Sequence, residues 1–287
     1  MGTSTPRTFV VAVNNTKVVQ DNFFSSACLR SNHPHQVILQ EGWASASLAY
    51  NDAIERSQND VIVFAHQDII LPEQWTSDLD RALHGLESSD PNWGVIGCYG
   101  ETLADNGRGY IYSSGLGLLG QPFEQPAPVQ TLDEIVLILR KGSGIRFDPG
   151  LPHFHLYGTD ICMRAESMGK RNYVIPAFCI HNTRQPLVLP TEFYECHRRI
   201  RRIWWDRLPI RSTCLTITRS NVWLYRRRIN ELLLEYVKRK QVGGHRRDDV
   251  PGLIEEVNGL LERRRCDGSS AQEWKQTAAP LSKLTIE

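Results

Sequence analysis

Short apolar runs alternate with amphipathic segments through the first hundred residues of the chain. Runs rich in β-branched residues predict buried strands at residues 8–13, 35–42, 60–65 and 93–100. Apolar residues at helical spacing predict helices between them, at residues 45–58 and 73–86, with Ser45 as the N-cap of the first. Strands that alternate with helices are typical of doubly wound parallel sheets.

The pattern is less regular after residue 100. Residues 101–130 are rich in Gly, Pro and Ser, which predicts long loops. Apolar runs then predict strands at residues 129–142 and 172–182. The segment 154–169 between them is typical of a loop that enters a helix, and Gly169 would end that helix.

The composition changes after Pro190, where the chain becomes Arg-rich and amphipathic. Residues 198–265 carry a net charge of +10, whereas the rest of the chain carries −9. We therefore predict a domain at residues 1–190 and an Arg-rich α-helical extension at residues 191–287. In one predicted helix of this extension, a single face holds Val222, Tyr225, Ile229, Leu232, Leu233 and Tyr236.

Three roles are open for the basic extension. Its helices could pack their aromatic face on the acidic body, lie on an anionic membrane surface, or contact an anionic partner or a second copy. A recognised nucleic-acid motif is missing from the sequence, so no nucleic-acid partner is expected.

The cysteine pattern indicates the redox environment of the protein. Seven are scattered along the chain without a CxxC pair, which favours reduced thiols over disulfides or a structural zinc site. The sequence has neither an apolar run of membrane-spanning length nor a secretory leader pattern. We expect a cytoplasmic protein, with peripheral contact at the inner face of the membrane as a further option.

Polar residues interrupt the apolar run VIVFAHQDIILP, residues 61–72, at the predicted end of a strand. Side chains two apart in a strand point to the same side, so His66 and Asp68 can face one ligand while Gln67 faces away. Ligands of open α/β sheets bind at this edge. Imidazole and carboxylate suit a divalent metal, which could bridge a diphosphate. The alternative is a strand end that simply meets solvent.

The order of three motifs, AYNDAI, DVIVFAHQDI and HLYGTDIC, resembles the GT-A glycosyltransferases related to family 2. The likeness is strongest to a bacterial branch that carries His-Gln-Asp where others carry Asp-x-Asp. It covers residues 8–185 and leaves the basic extension outside. The resemblance implies a GT-A-like, Rossmann-like α/β fold with a mostly parallel sheet flanked by helices.

The same resemblance implies an inverting transfer of a sugar from a nucleotide-diphosphate sugar to an acceptor hydroxyl. Asp68 would hold Mn²⁺ or Mg²⁺ on the diphosphate, with His66 beside it, and Asn14 would lie near the nucleotide. Asp160 stands where such enzymes place their general base. His66 replaces the usual first Asp of the motif, which leaves the metal and strict metal dependence open.

Other candidate residues have weaker assignments. Asp160 could also serve as a helix N-cap. His181 could be a third metal ligand or a diphosphate contact, or could only be hydrogen-bonded at a strand end. Asp133, His155 and Tyr157 are candidates for the sugar or acceptor pocket, with strand capping or local packing as alternatives.

The acceptor could be a glycan, a lipid-linked molecule or a small molecule. One rival function is that of a metal-dependent nucleotidyltransferase or sugar-phosphate enzyme. Another is a non-catalytic member that binds a glycan or a partner through its basic extension. Without a GxxxxGK[ST] or GxGxxG motif, nucleotide kinases and dinucleotide enzymes are disfavoured.

Overall fold

The β-branched runs form strands, as the sequence predicts, within two main sheets. The computed structural model describes residues 5–30, 35–104, 107–183, 188–237 and 246–266. Its strands are β1 (Thr8–Val13), β2 (Gln36–Glu41), β3 (Val61–His66), β4 (Ile69–Ile70), β5 (Ile96–Gly97), β6 (Tyr99–Glu101), β7 (Arg108–Ser113), β8 (Gly117–Gly120), β9 (Ala127–Val129), β10 (Thr131–Leu132), β11 (Val136–Arg140), β12 (Asn172–Val174), β13 (Cys179–His181), β14 (Ile210–Arg211) and β15 (Thr216–Ile217).

Seven helices accompany these strands within the described residues. They are α1 (Thr16–Asp21), α2 (Ala46–Arg56), α3 (Trp75–Ser89), α4 (Tyr157–Ser167), α5 (Thr191–Ile203), α6 (Val222–Val237) and α7 (Val250–Cys266). Short 3₁₀ turns lie at Phe23–Ser25, Ala27–Arg30, Lys141–Ser143 and Trp205–Arg207. Ser45 caps α2 as predicted, because its hydroxyl accepts from the Leu48 amide at 3.3 Å. Gly169 follows α4 with a φ of +75°, a conformation that favours glycine.

The main sheet has the order β2-β1-β3-β11-β5-β12-β9. Strands β2, β1 and β3 are parallel, whereas β11 runs antiparallel to both β3 and β5. The α/β class is confirmed, and the sheet is mixed beyond β3. An antiparallel neighbour does not need a crossover helix, so the chain can reach β11 from an excursion of short strands.

Those short strands form a second sheet of order β10-β6-β7-β13-β4, with β8 paired to β7. The prediction of long loops at residues 101–130 was therefore wrong for β7 and β8, and also for β9 at the edge of the main sheet. Their glycines mark turns and close approaches: a Cβ at Gly109 would lie 2.2 Å from the Cys98 carbonyl oxygen. The single strands predicted at 93–100 and 172–182 each divide between the two sheets.

Alternate residues of β3 pack on opposite faces of the main sheet. Phe64 faces a core that also holds residues of α2, α4 and α5, whereas Val63 faces the core that holds α3. In α5, Phe193 and Ile200 are buried in the same cluster as Phe64. The chain after residue 190 thus shares a hydrophobic core with the chain before it, and the predicted boundary near 190 does not coincide with a gap in packing.

The predicted apolar face of α6 does not pack on the body. The side chains of this face that the structure describes are exposed: Val222, Tyr225, Ile229, Leu232 and Leu233. The side chain of Tyr236 and the last twenty residues of the sequence lie outside the described part. Buried Glu231 holds α6 to the body, because it accepts from the Leu189 amide at 3.4 Å and from the Tyr194 hydroxyl.

Helix α7 lies within the extension predicted as α-helical, although the sequence pattern did not give its bounds. Val250, Leu253 and Val257 are buried against Ile70 and Ile180 of the second sheet. In the part of the chain that the structure describes, no helix combines the length and apolarity needed to cross a bilayer. The six cysteines whose side chains the structure describes form no disulfides with one another.

Truncating Leu253 should destabilise the whole body. Leu253 is fully buried, and replacing a buried leucine by alanine costs about 2–5 kcal/mol of unfolding free energy. We expect Leu253→Ala to lower the urea midpoint of the main unfolding transition. Leu103→Ala is the control, because Leu103 is 55% exposed and its loss should cost less than about 0.5 kcal/mol. An unchanged main transition in Leu253→Ala would mean that α7 unfolds separately.

Candidate active site

The His-Gln-Asp segment lies at the carboxyl end of β3, where Gln67 and Asp68 form the turn between β3 and β4 rather than the extended strand predicted for them. His66 is the last residue of β3. The Gln67 side chain donates to Asn14 Oδ1 at 2.6 Å and accepts from the amides of Asn14 and Asn15 at 3.2 and 3.1 Å. Gln67 therefore ties the loop after β1 to the end of β3. Asn14 is exposed beside the site, where it was predicted to meet the nucleotide.

Three side chains converge at this edge: His66, Asp68 and His181. Asp68 Oδ1 lies 3.3 Å from His181 Nε2 and 3.9 Å from His66 Nδ1. One potential ligand atom from each residue falls within 4.8 Å of the others. The pairing of β13 with β4 brings His181 beside Ile69, which follows Asp68 directly. A site spread over 116 residues of sequence is thus assembled by one short antiparallel pair.

The charges in this cluster are strongly coupled. Burial alone would raise the pKa of Asp68, but His181, His66 and Arg246 hold the pKa of that carboxyl well below its usual range. Burial would lower the pKa of His181, but Asp68 outweighs it and raises that pKa. Burial and then His181 lower the pKa of His66. The cluster therefore favours an ionised Asp68 beside a neutral His66.

The donor set fits a divalent metal. His181 Nε2 is buried and has no aligned hydrogen-bond partner among the described residues, although Asp68 Oδ1 lies within ion-pair distance. A buried polar atom without a partner is costly, and a metal would supply one. Two imidazoles and one carboxylate are ligands that Mn²⁺, Fe²⁺ and Zn²⁺ accept, while Mg²⁺ prefers oxygen.

The other oxygen of Asp68 belongs to a different contact. Asp68 Oδ2 accepts from Arg246 Nη2 at 2.8 Å, and Asp68 is only 6% exposed. Arg246 lies just before α7, and its Nε donates to the Asn182 carbonyl at 3.2 Å. The basic C-terminal segment therefore reaches the candidate site.

Tyr157 links the site to the start of α4. Its hydroxyl lies 3.0 Å from His66 Nε2, and its ring packs edge-on to Tyr50. The next residue, Gly158, donates its amide to Glu134 Oε1 at 3.3 Å. Burial and the neighbouring Asp133 raise the pKa of Glu134 to about 8. A carboxyl that titrates near neutral pH is suited to proton transfer.

Asp160 lies in the first turn of α4 and both of its carboxylate oxygens accept hydrogen bonds. Oδ2 accepts from Arg164 Nε at 2.7 Å and Oδ1 accepts from Trp204 Nε1 at 2.8 Å. The residue is 1% exposed, and burial raises the pKa of its carboxyl. It is not the N-cap, because that position is Leu156 with a φ of +59°. Its observed contacts join α4 to the C-terminal end of α5.

Asp133 and His155 lie at the margins of the site. Asp133 Oδ1 accepts from the Ile135 amide at 3.1 Å, which matches the capping alternative, and its charge also raises the pKa of His181. His155 packs edge-on to Phe193, with 5.8 Å between ring centroids, and burial lowers its pKa. Asp133 therefore contributes to the electrostatics of the cluster, whereas the observed contact of His155 is one of packing.

The sequence pattern did not indicate Glu134 or Arg246 as site residues. Glu134 stands beside the candidate Asp133 at the start of a strand, and that adjacency was the one available signal. Arg246 is one of many arginines in the basic extension, and nothing in its sequence context distinguishes it. Only the docking of α7 brings it to Asp68.

No protein-family model matches the chain. Among curated proteins, it is similar to open reading frame 6 of the ATP synthase subunits region of Fuscovulum blasticum. The two are 28% identical over 138 residues, which cover 46% of this chain and 55% of that protein. The chain thus spans about half the length of this curated relative.

Among solved structures, the chain is similar to TarS 1–349 of S. aureus. The TM-score is 0.44 and the identity 15%, over 68% of this chain and 64% of that one. The complex of the same protein with UDP-GlcNAc has a TM-score of 0.44 at 14% identity, over 68% and 65%. A197 from STIV has a TM-score of 0.37 at 10% identity, over 59% and 81%. All three TM-scores lie below 0.5, so the roles of the residues rest on the geometry of this chain.

Neutralising Asp68 should lower the pKa of His181. In the folded chain Asp68 raises that pKa, and burial would lower it once Asp68→Asn removes the charge. The raised pKa contributes stability that is complete below the unfolded value, about 6.5, and is lost as pH rises through the folded value. We expect Asp68→Asn to lose this contribution, as measured by histidine titration with NMR and by unfolding at several pH values.

Glu87→Gln is the control for this experiment. Glu87 pairs with Arg140, which lies opposite Val61 at the amino end of β3, away from His66. Its neutralisation should leave the His181 pKa unchanged. An unchanged His181 pKa in Asp68→Asn would contradict the electrostatic coupling described above.

Proposed function

We propose that the chain is a GT-A-type glycosyltransferase that moves a sugar from a nucleotide-diphosphate sugar to an acceptor hydroxyl with inversion. One observation carries the proposal: His66, Asp68 and His181 converge at the carboxyl ends of β3 and β13 as a group that could hold a metal. The order of motifs that resembles family 2 supports the same function. The position of the group supports it too, because ligands of open α/β sheets bind at this edge.

His66, Asp68 and His181 would hold the divalent metal, which when bound would neutralise charge on the diphosphate leaving group. Asn14, positioned by Gln67, would lie beside the nucleotide. In the reaction, the bond from the anomeric carbon to the diphosphate oxygen breaks and a bond to the acceptor oxygen forms on the opposite face. The acceptor hydroxyl gives its proton to a carboxylate of the protein.

The proton acceptor is the point at which geometry and resemblance differ. The resemblance assigns this role to Asp160, whose two oxygens are engaged by Arg164 and Trp204. Glu134 has its carboxyl beside the first turn of α4, and a Cβ at Gly158 would lie 3.1 Å from Glu134 Cγ. Glu134 thus occupies the space that a longer side chain at position 158 would need. We infer that Glu134 accepts the proton and that Asp160 positions α4.

The donor class should be visible as a thermal shift. A ligand that binds only the folded state raises its apparent stability by mass action. We expect one class among UDP-, GDP-, dTDP- and CMP-sugars to stabilise the wild type in the presence of Mn²⁺ or Mg²⁺. The shift should vanish in Asp68→Ala, because the carboxylate that holds the metal is gone, and should persist in Glu87→Gln.

A metal-dependent response to nucleoside triphosphates alone would favour a nucleotidyltransferase. If wild type responds to none of the nucleotide sugars, with or without metal, the transferase proposal fails and a non-catalytic member becomes the better reading.

Replacing the two carboxylates should separate their roles. Glu134→Gln should still bind the nucleotide sugar identified by the thermal shift. Its rate of sugar transfer or hydrolysis should fall about 10²–10⁴-fold, because a positioned base contributes a rate acceleration of that size. The wild-type rate should rise with pH towards about 8, as Glu134 loses its proton, and Glu134→Gln should lose this dependence. Donor release assayed across pH 6–9 measures both effects.

Asp160→Asn is the matched comparison. It should lower the free energy of unfolding by about 1–3 kcal/mol, because the Asn side chain has one acceptor oxygen for two donors, Arg164 Nε and Trp204 Nε1. At temperatures where it remains folded, it should retain the pH dependence of the wild type. A normal stability combined with a rate loss as large as that expected for Glu134→Gln would return the proton-accepting role to Asp160.

A further inference from the structure

Arg246 divides the candidate site into two sides. Asp68 Oδ1 faces the imidazoles of His181 and His66, while Oδ2 faces the Arg246 guanidinium at 2.8 Å. A metal on the Oδ1 side and the guanidinium on the Oδ2 side would contact the same carboxylate from different directions. The cation from the C-terminal segment therefore stands beside the group that would bind the leaving diphosphate.

The backbone around Arg246 is fixed in place by Asn182, the residue after His181. The Arg247 amide donates to Asn182 Oδ1 at 2.7 Å, and Asn182 Nδ2 donates to the Arg247 carbonyl at 2.8 Å. Asn182 is fully buried and its own amide donates to the Asp68 carbonyl at 2.9 Å. Arg246 is thus anchored to residues that follow β3 and β13, the strands that end in His66 and His181.

Helix α7 provides the second anchor. Asp249 caps its first turn by accepting from the Gly252 amide at 3.0 Å, and Leu253 is buried against the second sheet. Much of the entropic cost of ordering the arginine backbone is therefore met by folding rather than by ligand binding. A flexible basic tail would lack this preorganisation.

The Arg246 guanidinium has N–H groups that its contacts with the described residues do not use. Contacts with the described residues use Nη2 and Nε, which leaves the two N–H groups of Nη1 for a ligand. The Arg246 side chain is 33% exposed, so a ligand can reach it. A planar guanidinium matches the geometry of phosphate oxygens and stays charged at any physiological pH.

We propose that Arg246 is a phosphate-binding residue of the donor site, supplied by the C-terminal segment, and that it binds the diphosphate of the nucleotide donor and product. The proposal rests on the glycosyltransferase function proposed above and adds a second cation to it. Arg246 would bind a diphosphate oxygen through Nη1 while keeping Asp68 oriented through Nη2. The basic extension then contributes a residue to the site itself.

Binding of inorganic pyrophosphate to the full chain tests this role without knowledge of the sugar or acceptor. Calorimetric titration in EDTA removes the metal contribution. We expect Arg246→Gln to weaken pyrophosphate binding at least tenfold and Arg246→Lys to weaken it less. UDP should follow the same pattern, and orthophosphate should bind more weakly to the wild type because it offers fewer oxygens to the site.

Arg247→Gln is the matched control. It removes the same charge from the adjacent position, but its side chain pairs with Glu256 at 3.0 Å rather than with the site. Its pyrophosphate affinity should stay within twofold of wild type. An equal loss of pyrophosphate affinity in both variants would mean that Arg246 acts only through general electrostatic attraction. Tighter pyrophosphate binding in Arg246→Gln would mean that Arg246 blocks the site. Either result overturns the proposal.

The nucleotide-sugar panel, run on the same proteins, separates this proposal from the function it rests on. A metal-dependent response of the wild type with no pyrophosphate effect in Arg246→Gln overturns the role of Arg246 and leaves the transferase standing. Absence of both pyrophosphate binding and any nucleotide-sugar response overturns both. Thermal unfolding of each variant confirms that it is folded at the temperature of titration.

Discussion

A buried carboxylate that must be paired organises this edge of the molecule. Asp68 is 6% exposed, and an unpaired ionised carboxylate at such a position would be strongly destabilising. Its partners come from the end of β13 and from the segment before α7, elements that are far apart in the chain. The position of β13 beside β4 and the docking of α7 therefore both affect the Asp68 carboxylate. The candidate chemistry would use the same carboxylate.

The basic extension has no single role along its length. In α5, Phe193 and Ile200 are buried in the main core, which agrees with packing on the body. In α6, the apolar face is exposed and buried Glu231 provides the attachment. The segment before α7 places Arg246 in the site. Contact of the exposed α6 face with a membrane stays a prediction, because its charge and apolarity are compatible with several partners.

Two carboxylates near the start of α4 are placed in opposite environments: Asp160 in its first turn and Glu134 in the loop before β11. Asp160 is engaged on both oxygens, which suits a residue that holds α4 and α5 together. Glu134 accepts from the Gly158 amide, and burial beside Asp133 raises its pKa to about 8. The environment rather than the residue type separates a structural acid from one able to exchange protons near neutral pH. A glycine at position 158 leaves the room that Glu134 occupies.

The sequence by itself determined the central strands, the helices that follow them and the place of His66 at the end of β3, because these depend on local periodicity. It also indicated Asp68 and His181 as possible partners. Only the tertiary structure decided that β11 is antiparallel, that residues 101–130 contain strands, and that Glu134 and Arg246 reach the site. Those features depend on contacts between distant segments, such as β13 with β4 and Arg246 with Asp68, which leave no periodic signal in the chain.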